Sequence, residues 1–125
     1  LAAGKNYGWP LVSHGKLKDG TEPALRVFTP AEAPASLLAY TSTAIPQFTG
    51  NLFFGALKGE GLVRLVIDPN NPTKITNVEK LAAAYGRIRA VTQGPDGAIY
   101  FSTSNRDGRG NAAATDDRIF RIRPE

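Results

Sequence analysis

Residues Asn51–Asp68 read NLFFGALKGEGLVRLVID, two apolar runs rich in branched and aromatic side chains, separated by Lys58-Gly59-Glu60-Gly61. Short runs of this composition favour strands over helices, and the glycine-rich spacer is a hairpin turn. The segment therefore reads as strands Asn51–Leu57 and Leu62–Asp68, the second ended by Asp68-Pro69-Asn70-Asn71-Pro72. The same pattern extends outward. Ala35–Thr41 and Ile75–Leu81 flank the hairpin, and Arg87–Gln93, Ala98–Thr103 and Asp117–Arg123 follow it. Between two of these, Gly94-Pro95-Asp96-Gly97 suits a type I turn, since proline fixes φ near about −65°. Val78–Tyr85 (VEKLAAAY) has some helical character but is short and uncapped, and it reads as strand.

The strand order restarts at Arg87, ~50 residues after its first appearance. Four antiparallel strands in ~40–50 residues are the signature of a propeller blade. The expected fold is all-β: an aromatic loop within 1–30, a blade over 35–81, and a second blade over 87–123 that is one strand short. Two blades cannot close a ring, and they leave faces and strand edges that invite association. The chain is thus expected to be part of a larger ring, joined by the remainder of the propeller or self-associating through open blade edges. A self-contained β-sandwich is the other reading of the same strands.

Composition narrows the function. In 125 residues, 42% hydrophobic, there is room for one compact domain. No apolar run reaches the ~20 residues that cross a bilayer, so no membrane span is expected, and the start lacks the shape of a signal peptide. The absence of cysteine excludes disulfides, thiolate metal sites and a Cys nucleophile. The one histidine, His14, argues against histidine-rich metal centres and serine-type triads. The net charge is +4, but the basic residues are scattered and no aromatic residues interleave with them, so no nucleic-acid partner is expected.

Four motifs then fall in order: Gly4-Lys5-Asn6-Tyr7-Gly8-Trp9-Pro10, Gly55-Ala56-Leu57-Lys58, Gly86-Arg87-Ile88-Arg89 and Gly94-Pro95-Asp96-Gly97-Ala98-Ile99-Tyr100. Together, over Gly4 to Pro124, they resemble the C-terminal third of the glucose/sorbosone dehydrogenase family. These are six-bladed β-propellers that oxidise aldose sugars with pyrroloquinoline quinone (PQQ). The resemblance implies that this chain is the last two blades, a PQQ-dependent dehydrogenase segment acting on an aldose at C1 to give a lactone, with calcium as a second cofactor. It also implies a periplasmic or secreted location.

The resemblance puts PQQ-binding basic residues at Lys58, Arg87 and Arg89. The chemistry agrees: PQQ is a planar quinone with three carboxylates, and guanidinium groups supply bidentate donors to such anions. Arg87 and Arg89 stand two apart on an expected inner strand, so both side chains leave one face, and Lys58 opens a turn. Arginines at this spacing equally suit a solvated sheet face. The resemblance places the loop of Tyr7 and Trp9 at the active-site mouth, where aromatic faces suit a sugar; Trp9 as a packing anchor is the competing reading.

No catalytic residue and no metal ligand is assigned in this segment. Asn105-Arg106-Asp107-Gly108-Arg109-Gly110-Asn111, with Asp116 and Asp117, lacks the acidic spacing and closing Glu of a calcium loop and reads as a solvated connection in which Asp117 either caps a turn or pairs with the neighbours of Arg118. His14 reads as an exposed loop residue, the family's base lying in an earlier blade, and the isolated chain is expected to be inactive. A non-catalytic, protein-binding propeller of the same superfamily is the alternative function.

Overall fold

The computed structural model describes residues 2–124. Among these described residues, seven strands form two antiparallel sheets. The first has β1 (Pro34–Ala39), β2 (Leu52–Ala56), β3 (Gly61–Asp68) and β4 (Asn71–Leu81) in the order β1-β2-β3-β4. The second has β5 (Ile88–Gln93), β6 (Ile99–Thr103) and β7 (Ile119–Ile122) in the order β5-β6-β7. These are the all-β, four-plus-three sheets expected, and no helix is long and apolar enough to cross a membrane among the described residues. Residues 2–33 form an arm without strands.

β2 and β3 are apolar on both faces because both faces are covered. Phe53 and Leu62 join Tyr40, Ile45, Ile88, Val91, Ile99 and Phe101 in the core between the sheets. Their neighbours Phe54, Val63 and Leu65 point the other way, where Phe28 of the arm packs edge-on against Phe54 with ring centroids 5.5 Å apart. Strand alternation thus splits one hairpin between two cores. In the second sheet Ile88 and Val91 of β5 and Ile99 and Phe101 of β6 face inward, with Phe120 and Ile122 of β7 packed against them, while Ile119 of β7 is 77% exposed.

β1 and β5, the first strand of each sheet, lie side by side, and the Val91 amide donates to Ser36 Oγ at 2.7 Å. At one end Tyr40 donates its hydroxyl to the Gly97 carbonyl at 2.6 Å, and Gln93 Oε1 accepts from the Thr41 amide at 2.9 Å. At the other end the sheets approach closely at Gly55, where a Cβ would lie 2.6 Å from the Ile88 carbonyl oxygen.

Three local departures have physical causes. β4 begins at Asn71 rather than Ile75, because Asp68 pairs with Asn71 across a tight turn in which Asp68 Oδ1 accepts the Asn70 amide at 3.0 Å. Pro72 is tolerated there since β4 is an edge strand with no ladder partner on its outer side. Val78–Tyr85 divides into two. The strand runs to Leu81, Ala82 turns the chain at φ 54°, and Ala83–Tyr85 forms a short 3-10 turn. Finally, the register between β5 and β6 slips between Ile88 and Ala90, so Arg89 sits in a bulge.

Candidate functional site

Arg87 and Arg89 converge, by a route that simple strand alternation does not describe. Arg87 precedes β5, and the bulge re-aims Arg89, as bulges commonly do near sites. Both guanidiniums reach one atom, Asp107 Oδ2: Arg87 through Nη2 at 2.8 Å and Nε at 3.2 Å, Arg89 through Nη2 at 3.1 Å. Arg87 Nη1 donates to the Leu57 carbonyl at 2.8 Å, which ties the pair to the residue before Lys58.

The backbone is fixed as firmly. Gly86 adopts φ 75°, a region that glycine enters without a Cβ penalty, and a Cβ there would meet Asn105 Oδ1 at 2.5 Å. Freed of that clash, Asn105 Oδ1 accepts the Arg87 amide at 2.8 Å, and the Ser104 amide donates to the Arg87 carbonyl at 2.8 Å. Asn105 Nδ2 donates onward to the Tyr85 carbonyl at 2.9 Å and to Asp116 Oδ2 at 3.0 Å. Asp117 Oδ1 accepts the Asn105 amide at 2.6 Å, so Asp117 does cap this turn.

The two arginines differ in what they have left to offer. The Arg87 side chain is 9% exposed, and three of its N–H groups are engaged. Arg89 is 53% exposed. Of its five N–H groups, Nε donates to Ser104 Oγ at 2.9 Å and Nη2 donates once to Asp107, leaving three open. Lys58 is exposed, and its ammonium forms no ion pair among the described residues, since the nearby Glu32 carboxylate is held by Lys80 at 3.0 Å. Two guanidiniums against the one carboxylate they share leave this pair positive. The hydrogen bond from Arg87 holds the Asp107 carboxyl below the usual carboxylate range, helped by the Arg109 amide and the charges of both arginines, so Asp107 is ionised at neutral pH. Such a pair, with the open guanidinium donors of Arg89, fits a carboxylate of a planar polycarboxylate and would hold it by charge-assisted bonds.

The segment 104–117 is therefore more than a solvated connection. Ser104 and Asn105 are buried, the Asp116 side chain is 4% exposed, and a Cβ on Gly110 would sit 2.6 Å from Arg87 Cδ. The loop folds over Arg87 and supplies its counter-charge. The sequence signal is faint: Asp107 Oδ1 accepts the Arg109 amide at 3.0 Å in an Asx turn, which Asp-Gly permits, but Asp-Gly loops are common.

Tyr7 and Trp9 do not join this corner. They line a cleft of about 340 Å³ in the arm with Val12, His14 and Phe28, which contains none of the three basic residues. Trp9 is 82% exposed, so it anchors no packing, and His14 is exposed with Nδ1 3.2 Å from Ser13 Oγ. Among the described residues no three His, Asp or Glu side chains converge as a metal site.

Comparison with known proteins agrees with the motifs. The family model described as glucose/sorbosone dehydrogenase matches residues 1–112. An aldose sugar dehydrogenase of Escherichia coli, YliI, is 32% identical over 119 residues, covering 84% of this chain and 31% of the relative. The structure of an oxidoreductase from Thermus thermophilus, described as a glucose dehydrogenase, superposes with a TM-score of 0.80 at 35% identity, covering 94% of this chain and 33% of that one. The PQQ-bound aldose sugar dehydrogenase of Streptomyces coelicolor gives a TM-score of 0.75 at 27% identity, over 96% and 34% of the respective chains. The chain spans about a third of the length of each of these relatives.

Proposed function

The chain belongs to the glucose/sorbosone dehydrogenase family, and from that premise we propose that it is the cofactor-holding part of a PQQ-dependent oxidoreductase that oxidises an aldose at C1 to a lactone. In this reading the described sheets are two blades of a single six-bladed propeller domain, and the general base and any calcium ligands belong to other blades. A periplasmic or secreted location goes with the same reading.

The observation that carries the proposal is the meeting of Arg87 and Arg89 on Asp107 beside Lys58. When bound, PQQ supplies the two-electron acceptor. This chain's part is to bind and orient it. Arg89 offers its open N–H edge to a carboxylate, and Lys58 brings a compact, movable charge to a second acidic or quinone oxygen. Arg87, mostly committed within the fold, fixes the floor beneath them. Tyr7 and Trp9, proposed from the resemblance to face the sugar, would act from a separate wall, across the space that further blades enclose.

Titration of the complete protein with PQQ in the presence of calcium, followed by quinone absorbance, tests this. Wild-type protein is expected to bind, and Arg89→Ala to bind about tenfold or more weakly, as the loss of one charge-assisted contact implies. Equal affinities would remove Arg89 from the site.

A further inference from the structure

Oδ2 of Asp107 is shared by two guanidiniums, while Oδ1 is pinned by the Arg109 amide at 3.0 Å. The carboxylate therefore cannot swing away to follow one arginine. Ser104, itself buried, holds Arg89 Nε at 2.9 Å and lies 3.5 Å from the same Oδ2. A long, half-exposed side chain that would otherwise sample many rotamers is thus held at two points along one edge. The opposite edge, Nη1 together with the remaining Nη2 hydrogen, is left for a ligand.

From this geometry we propose that Asp107 is the positioning residue of the cationic corner, a carboxylate that orients Arg89 for an incoming ligand carboxylate through a shared contact with Arg87. The proposal rests on the PQQ reading above and adds a residue to it. It carries an unusual sign. Asp107 is an anion beside the binding site of an anion, so simple electrostatics says that removing its charge tightens binding. Positioning says that removal weakens binding, because Arg89 must then be ordered at the ligand's expense.

The test compares wild type, Asp107→Asn, Asp107→Glu and Ser104→Ala in the complete protein. PQQ affinity is read by absorbance titration, and the Arg89 Nε–H resonance is followed by nitrogen-15 NMR without PQQ. Asp107→Asn is expected to bind about tenfold more weakly despite its extra positive charge, with a lowered thermal midpoint because buried Arg87 loses its counter-charge, and with the Arg89 Nε–H signal lost to exchange. Asp107→Glu should recover part of the affinity. Unchanged or tighter binding by Asp107→Asn, with Arg89→Ala still weak, would overturn the positioning role and leave the PQQ reading intact. Absence of PQQ binding by wild type would overturn both. Should Asp107→Asn fail to fold, Ser104→Ala decides: about threefold weaker binding supports the role, and unchanged affinity overturns it.

Discussion

Gly55→Ala is expected to destabilise the protein by about 3 kcal/mol, at the upper end of the cost of overfilling a packed core. Gly55 lies on β2 where its backbone closely approaches Ile88, at the start of β5 in the second sheet. An added Cβ would meet the Ile88 carbonyl oxygen at 2.6 Å and the Ile88 carbonyl carbon and Cγ2 at 3.0 Å each. Two of those atoms are backbone, and Ile88 is fully buried, so neither partner can rotate aside. Relief requires the sheets to separate, which opens the core that Phe53, Leu62, Ile88 and Ile99 share. Separation also draws Leu57 away from Arg87 Nη1, so the variant should lose cofactor affinity along with stability. Gly15→Ala is the control: nothing lies within 4 Å of its Cβ position, and its effect should stay within about 0.5 kcal/mol. Urea unfolding followed by circular dichroism distinguishes them. Equal midpoints for the two variants would mean that the close approach at Gly55 is not what holds the sheets in register.

Arg87→Ala should cost about 3 kcal/mol, near the lower bound for removing one partner of a buried ion pair, because Asp107 keeps Arg89. Its loss leaves the Leu57 carbonyl without its donor and opens a space beneath the 104–111 loop, where Gly110 packs on the arginine stem. Arg87→Lys keeps the charge but not the planar fork, and one ammonium cannot serve Leu57 and Asp107 in the same geometry. The lysine variant should therefore recover less than half of the loss. Full recovery in the same unfolding experiment would reduce Arg87 to a simple charge and remove its role as the floor of the site.

These predictions draw on features the sequence carries to different degrees. The strands are legible because local forces dominate them: the apolar runs Leu52–Ala56 and Leu62–Asp68 cannot be satisfied in solvent, and Gly94-Pro95-Asp96-Gly97 closes its turn as its residues require, with the Gly97 amide donating to the Gly94 carbonyl at 3.0 Å. The start of β4 is less so, since Asp68-Pro69-Asn70-Asn71-Pro72 serves equally to end a strand or to link two. Arg87 and Arg89 stand out as a pair, yet the bulge that turns Arg89 depends on the register with β6, which no local pattern encodes. Asp107 is hidden for a similar reason. It sits 20 residues beyond Arg87 in a glycine-rich loop whose composition is that of any solvated turn, and only the folded chain closes that distance. Tyr7 and Trp9 are conspicuous in sequence, but their place in the arm, on the side of β2 away from the second sheet, follows from Phe28 docking on Phe54.

The most direct test of the account separates location from net charge. Calorimetric titration of PQQ with calcium into the complete protein would compare wild type with two double variants of equal charge: Lys58→Ala with Arg89→Ala, and Lys74→Ala with Arg121→Ala, whose basic groups pair with Asp68 and Asp96 at distant surfaces. If Lys58 and Arg89 hold the cofactor, the first double variant loses affinity by about a hundredfold or more while the second stays close to wild type. Equal losses in the two, or none in the first, would contradict a cofactor cradle at this corner.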